Sequence, residues 1–343
     1  MAKSTVLVTG ATGFVASYII SELLKEGFSV RGTAREGKID ALKAAPIGQN
    51  PDFSVVQVDD IITADLTEAL KGVNAIIHVA SPLAGHASPK ESVNIAVNGD
   101  LNVLRSAAKA GISKVILTSS IATTMDPDLA KTYQGVTISR NDWGSVVEDD
   151  IYNKEHDARG MWVYVASKIL AEKAAWKFAA ENPSIDLATI NPPFIYGSPN
   201  PDFPSQGTTR LGVNIMLFSL INGKPDRPLP PVIPPHYIDV RDVAKAHVRA
   251  LGAPSNVRDK RFIVTAGYFH FKDVVEYLAE TMPELKPRLP STENAVPFPG
   301  PVYTVDSEPL KEYLGIKQED FLHWKPMVTE IIKSMLAAEG GKL

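Results

Sequence analysis

The sequence predicts an α/β fold: a doubly wound parallel sheet with a smaller, discontinuous carboxy-terminal lobe. Three observations carry that expectation. Short β-branched apolar runs recur at Val6 to Thr9, Ser29 to Thr33, Phe53 to Val58, Ala75 to Val79, Lys114 to Thr118 and Leu187 to Ile190. Helical patterns separate most of them, at Phe14 to Glu26, Ser88 to Ala110 and Trp162 to Glu181, and this alternation is what βαβ units produce. After Asn191 the texture changes, with Pro192, Pro193, Pro199, Pro201, Pro204 and the stretch from Pro225 to Pro235, a residue type that central strands reject. His236 to Leu251 reads as a further helix and Arg261 to Thr265 as a further strand. Segments 1–192 and 236–267 are therefore expected to form the nucleotide-binding core, and 193–235 and 268–343 the substrate lobe.

With 343 residues, 44% of them hydrophobic, the chain can bury a substantial core. A formal net charge of −4 and the absence of a basic run give no attraction to nucleic acid or to an anionic membrane. The lack of cysteine excludes disulfides and thiolate nucleophiles and fits a reducing compartment. Seven histidines without HExxH spacing give no support for a metal. The apolar run that starts at Thr5 is far shorter than a signal segment or a membrane span, so a cytoplasmic protein is expected.

The first strand runs into Thr9-Gly10-Ala11-Thr12-Gly13-Phe14-Val15-Ala16. Gly10 can take a tight turn, and Gly13 lets backbone approach a pyrophosphate at a helix start, where free N–H groups and the helix dipole favour an anion. Ala16 is small enough for close helix–strand packing. At the end of the second strand, a carboxylate would hydrogen-bond a ribose 2′-hydroxyl, whereas an arginine pairs with a 2′-phosphate. Here Arg35 occupies that place with no acid before it, which favours NADP(H), although Glu36 follows directly.

Tyr164 and Lys168 stand at i and i+4, one turn apart on one helix face. Carbonyl reduction needs a proton donor beside the hydride acceptor; a tyrosine can donate, and a nearby ammonium favours the phenolate left behind and can grip a ribose. Such a pair is usually a surface feature. What lifts it above that is the buried strand Lys114 to Thr118, which ends in Ser119 and Ser120. Ligands of a parallel sheet sit beyond the carboxyl ends of its strands, so Ser120 is expected over the same crevice, holding a substrate carbonyl, with Ser119 as its rival.

Together, Gly10-Ala11-Thr12-Gly13-Phe14, Thr118-Ser119-Ser120, Tyr164-Val165-Ala166-Ser167-Lys168 and Asn191-Pro192-Pro193 resemble the extended short-chain dehydrogenase/reductase family. More narrowly, the chain is similar to its dihydroflavonol-4-reductase-like branch, which includes fungal and yeast NADPH-dependent aldehyde, ketone and methylglyoxal reductases. The resemblance implies a Rossmann domain, an NADP(H) cofactor and a catalytic triad of Ser120, Tyr164 and Lys168. It implies cofactor contacts from Gly10, Thr12, Gly13, Phe14, Val15, Arg35, Tyr164 and Lys168, from Asp60 and Ile61 near the adenine, from Ala80 and Ser81, and from Pro192 and Pro193 beside the nicotinamide. Two departures from the family pattern stand out: Ala16 replaces the third glycine, and Ala96-Val97-Asn98-Gly99-Asp100 replaces a run that elsewhere carries a catalytic asparagine. The segment before Tyr164 also lacks the NWYCYGK signature of cinnamoyl-CoA reductases, which argues against an acyl-CoA substrate.

The expected activity is NADPH-dependent reduction of an aldehyde or ketone, keto esters and dicarbonyls included, by a monomer or homodimer. Ser120, Tyr164, Phe194 and Phe203 are expected to meet the substrate, with Tyr196 nearby. The alternatives are an NAD-dependent nucleotide-sugar epimerase or dehydratase, and a non-catalytic NADP-sensing regulator.

Overall fold

A computed structural model describes residues 3–80, 88–152, 160–204, 212–231 and 234–340. The strands are β1 (Thr5–Val8), β2 (Ser29–Ala34), β3 (Phe53–Gln57), β4 (Ala75–His78), β5 (Lys114–Thr118), β6 (Thr137–Ile138), β7 (Asp186–Asn191), β8 (Phe194–Tyr196), β9 (His236–Asp239), β10 (Arg261–Ile263), β11 (Gly267–Tyr268) and β12 (Thr304–Val305). The helices are α1 (Phe14–Lys25), α2 (Glu36–Ala44), α3 (Pro89–Ala110), α4 (Gly160–Glu181), α5 (Ile215–Ile221), α6 (Val240–Ala250), α7 (Phe271–Thr281), α8 (Glu308–Leu314) and α9 (Trp324–Gly340).

Seven parallel strands form the central sheet in the order β10-β7-β5-β4-β1-β2-β3. Successive side chains of a strand point to opposite faces, and β1 shows the result. Val6 and Val8 enter one core with Ile19, Ile20 and Leu23 of α1 and Val243 of α6, while Leu7 enters the other with Val103 and Leu104 of α3 and Ala175 of α4. Both faces are thus covered, which is why the strands read as continuous apolar runs. The strand order reverses between β1 and β4, and such a switch point opens a crevice at the carboxyl ends.

A second sheet, β11-β9-β8, packs with α5, α7 and α9 around Leu217, Val274, Leu278, Val328 and Ile332. The helix expected from His236 starts instead at Val240, because His236–Asp239 pairs with β8 and β11. Asp239 caps the helix by accepting the Arg241 N–H at 2.8 Å, which fixes the break. The strand assigns 236–239 to the smaller sheet. Conversely Leu310 and Leu314 of α8 are buried in the main core, so the carboxy-terminal segment serves both lobes.

Candidate active site

The turn after β1 is built for close backbone approach. Gly10 has φ +69°, and a Cβ there would meet the Ala80 Cβ at 3.2 Å. Its N–H donates to Thr33 Oγ1 at 3.0 Å, and the Ala11 N–H donates to the Thr33 carbonyl at 2.8 Å, which ties the turn to the end of β2. Across the switch point, Thr9 Oγ1 accepts the N–H groups of Val79 and Ala80 at 3.0 and 3.1 Å. Gly13, which has no side chain to cap with, stands at the N-cap of α1, and no acid occupies the first turn. Thr12 precedes it in the turn and Phe14 and Val15 follow it as the first helical residues, all three half-buried, and Phe14 lies edge-on to Tyr18 at 6.0 Å. A helix start whose N-cap residue is a glycine, beside a turn with no room for a side chain, fits a dinucleotide pyrophosphate. Ser81 lies outside the described residues.

Arg35 is exposed at the end of β2 and is the N-cap residue of α2. Asp59 accepts the Glu36 N–H at 2.7 Å, and the Arg35 charge helps hold Asp59 and Asp60 below the ordinary carboxylate range, after the hydrogen bonds each accepts. Asp60 itself turns inward on its own loop, accepting from the Ile62 N–H at 2.9 Å and from the Thr63 hydroxyl at 2.7 Å. The Ile61 carbonyl accepts from Asn102 Nδ2 at 2.9 Å, which joins this loop to α3. Arg35, Asp60 and Ile61 therefore share one rim of the crevice, at the ends of β2 and β3.

On the other side of the switch point, Ser120 is buried just beyond β5. Its flanking peptides are held by the continuation of β7: the Ser119 N–H donates to the Ile190 carbonyl at 2.8 Å, and the Ile121 N–H to the Pro192 carbonyl at 2.9 Å. Pro192 and Pro193 thereby lie beside Ser120. The two serines differ in their bonding among the described residues: the Ser119 hydroxyl donates to Glu172 at 2.6 Å, while Ser120 Oγ accepts the Ala122 N–H at 3.2 Å. Helix α4 packs on the 3-10 turn Ile121–Thr124 and carries Tyr164, Lys168 and Glu172 at successive i+4 positions. Tyr164 and Lys168 are half-buried and Glu172 is buried. Sequence reasoning passed over Glu172, which looked like one more polar residue of an Ala- and Lys-rich helix.

Phe194 opens β8, half-buried against the smaller lobe, directly after Pro193. Tyr196 is buried in that lobe, with its ring 5.6 Å from Phe269. The structure does not bring Phe203 to Ser120. Phe203 is buried edge-on to Phe53 of β3 at 6.5 Å, on the far edge of the sheet from β5, where it covers apolar surface of the main core. A cavity of about 430 Å3 lined by Ser4, Glu22, Asn74, Lys114 and Arg249 lies at the opposite, amino-terminal end of the strands and holds none of the expected residues.

This fold and this crevice are those of a large family: the chain belongs to the NAD dependent epimerase/dehydratase family, the extended short-chain dehydrogenase/reductases, whose profile matches residues 6–266. Within it, the chain is 32% identical to the NADPH-dependent methylglyoxal reductase GRE2 of Saccharomyces cerevisiae, over 98% of this chain and 99% of the relative. It is 31% identical to the ketoreductase azaE of Aspergillus niger, over 96% and 97%. The crystal structure of yeast methylglyoxal/isovaleraldehyde reductase Gre2 complexed with NADPH superposes with a TM-score of 0.82 at 30% identity, covering 98% of this chain and 99% of that one. Among the described residues no helix is long and apolar enough to cross a membrane.

Proposed function

We propose that this chain is an NADPH-dependent carbonyl reductase that converts an aldehyde or ketone, keto esters and dicarbonyls included, to the alcohol, with Tyr164 as proton donor. What supports this reading is that the Gly10 turn and Ser120 lie beyond the carboxyl ends of β1 and β5, on either side of the switch point, and that the helix bearing Tyr164 and Lys168 packs on the turn that follows Ser120. The relatives' NADPH dependence supports the cofactor, and Arg35 supplies a physical reason for it.

Gly10, Gly13 and the start of α1 would hold the pyrophosphate, and Arg35 the 2′-phosphate. Thr12, Phe14, Val15, Asp60, Ile61, Ala80 and Ser81 would line the rest, and Pro192 and Pro193 the nicotinamide end. When bound, the cofactor supplies a hydride to the carbonyl carbon. Ser120 donates a hydrogen bond to the carbonyl oxygen, which gathers negative charge as the carbon is reduced. Tyr164 passes its phenolic proton to that oxygen, and the Lys168 ammonium one turn along stabilises the phenolate and grips the ribose. Phe194 gives the substrate an apolar wall. In this reading the enzyme is cytoplasmic, acts as a monomer or homodimer, and has no nucleic-acid or membrane partner, in keeping with its net charge of −4.

The family also holds nucleotide-sugar epimerases and dehydratases, which keep NAD tightly bound through the cycle; a freely exchanging NADPH separates the two readings. The test follows NADPH oxidation by the purified protein against aldehydes, α-diketones and β-keto esters, with Tyr164→Phe alongside. Reduction of at least one class is expected, and a loss of about 10² or more in the Phe variant. If no carbonyl is reduced, or the variant matches the parent, the reading fails.

A further inference from the structure

We infer that Glu172 is a positioning residue of the reaction: it locks the helix that carries Tyr164 and Lys168 to the strand end that carries Ser120, and so sets the distance between proton donor and carbonyl-holding hydroxyl. This rests on the reductase reading given above.

Glu172 is 1% exposed, yet its carboxylate is surrounded by donors from four separate parts of the chain. Oε2 lies 2.6 Å from the Ser119 hydroxyl, 2.6 Å from the Thr123 hydroxyl and 2.8 Å from Asn191 Nδ2. Oε1 lies 2.7 Å from Arg261 Nε, 3.1 Å from the Thr189 hydroxyl and 3.3 Å from Trp176 Nε1. Ser119 and Thr123 flank Ser120, Asn191 ends β7, and Arg261 begins β10. One carboxylate on α4 is thus tied to three adjacent strands of the sheet, β5, β7 and β10.

The link to Ser120 has only one intermediate. Asn191 Nδ2 has two hydrogens; one serves Glu172, and the other faces the Ser120 carbonyl at 3.2 Å and Thr123 Oγ1 at 3.1 Å. Thr123 has a single proton, which goes to the nearer, charged acceptor, Glu172, while its oxygen takes Arg261 Nη2 at 2.6 Å. The Ser120 peptide is therefore clamped from β7 by main chain and from α4 by way of Asn191 and Thr123.

Stability alone does not account for such a group. A buried ion pair contributes little beyond what apolar residues of the same volume would, because both charges must be stripped of water. Arg261 also needs further partners, which it finds in the Arg140 and Asp142 carbonyls and in the ring of Trp143, 3.7 Å from its guanidinium carbon. What the arrangement does deliver is directional: five donors fix one carboxylate, with the single Thr189 proton shared between it and Asn191 Oδ1 at 2.9 Å, and misplacement of reacting groups by about 1 Å can cost about 10² in rate.

The test uses the full-length protein and the variants Asn191→Ala and Glu172→Gln, each compared with the parent for kcat, KM, NADPH affinity by fluorescence, and Tm. Asn191→Ala cuts the bridge to Ser120 and leaves the Glu172–Arg261 pair in place. Its kcat is expected to fall about tenfold to a hundredfold, with NADPH affinity within about twofold, because Gly10, Thr33 and Arg35 lie outside the network. The double variant should lose little more than the worse single one, since both act through one linkage. If Glu172→Gln does not fold, Thr123→Val takes its place.

A folded Asn191→Ala with parental kcat overturns the inference, as do losses that multiply in the double variant. Should the parent reduce no carbonyl, the reductase reading fails by itself. The Ser120–Tyr164 separation in crystal structures of the parent and Asn191→Ala then decides the positioning claim, which an unchanged separation overturns.

Discussion

Thr9 Oγ1 and His78 Nδ1 lie 2.7 Å apart, and the rest of the hydroxyl's bonding shows which of them donates. Thr9 already accepts two N–H groups, from Val79 and Ala80, so its one proton goes to Nδ1 and the imidazole proton sits on Nε2. Nε2 has no aligned acceptor among the described residues, though Asp100 Oδ1 lies 3.2 Å away. This small knot holds the end of β4 against the Gly10 turn. Thr9→Val keeps the shape and strands two amides and a ring nitrogen, for which a loss of about 2 kcal/mol in unfolding free energy is expected. NADPH affinity should fall as well, because Ala80 is no longer pinned beside Gly10. Urea unfolding and a fluorescence titration measure both, and an unchanged unfolding free energy would show that the knot bears no strain.

Arg35→Ala separates the two nicotinamide cofactors. A hydrogen bond to a charged group contributes about 1.5–3 kcal/mol, so KM for NADPH should rise roughly tenfold to a hundredfold. NADH has no 2′-phosphate, and its KM should move by no more than about twofold. Because Arg35 is exposed and Asp59 and Asp60 are close by, its removal also relieves no buried charge, and Tm should hold. An equal change for both cofactors removes Arg35 from the site.

The central sheet was legible because its signals are local. β-branched runs mark strands, and the Gly10 to Ala16 spacing marks the first turn wherever the rest of the chain lies. Glu172 was not legible for the opposite reason: its partners Ser119, Asn191 and Arg261 are brought to it by β5, β7 and β10, and nothing within α4 announces them. Phe203 misled because a proline-rich segment is also the usual setting for a ligand-shaping loop, while its actual neighbour, Phe53, comes from the third strand. At His236 the missing signal was the switch of period. Four residues belong to a strand, and only the Asp239 cap turns the chain into a helix.

Gly10 and Gly13 should respond differently to alanine. At Gly10 the left-handed backbone costs an L-residue about 1–2 kcal/mol, and the new methyl also meets Ala80 at 3.2 Å. At Gly13 the backbone is extended, with φ −78°, and the methyl meets the Gly10 carbonyl at 3.1 Å and the Ala16 Cβ at an ordinary 3.9 Å. Gly10→Ala is therefore expected to lower both stability and NADPH affinity. Gly13→Ala should lower affinity with a smaller loss of stability. Thermal melts with and without NADPH check the difference, and equal melts for the two apo variants would contradict it.

Stability should decline as the solution becomes acidic, well before the exposed carboxylates titrate. His247 is fully buried, with Nε2 2.7 Å from the Thr118 hydroxyl and Nδ1 2.8 Å from the Val243 carbonyl, and burial pushes it down to about 4. His236, stacked on Tyr303 at 3.9 Å, is pushed down to about 4 by the same cause. In the unfolded chain both titrate near 6.5, so between about 4 and 6.5 the unfolded state binds protons that the folded state refuses, and stability falls as pH falls. From pH 7.5 to pH 5 each histidine costs about 2 kcal/mol on that count. Asp242 acts in the opposite direction. Burial, with help from Asp239, pushes it up to about 6, so the folded state takes up its proton first and regains about 1 kcal/mol by pH 5. The histidines win, and a net loss of roughly 2–3 kcal/mol at pH 5 is expected from urea unfolding. His247→Gln, which keeps a donor and an acceptor in that place but cannot titrate, should shrink the loss by about 2 kcal/mol. Stability that holds or rises between pH 7.5 and pH 5 would mean that the folded protein admits the protons after all.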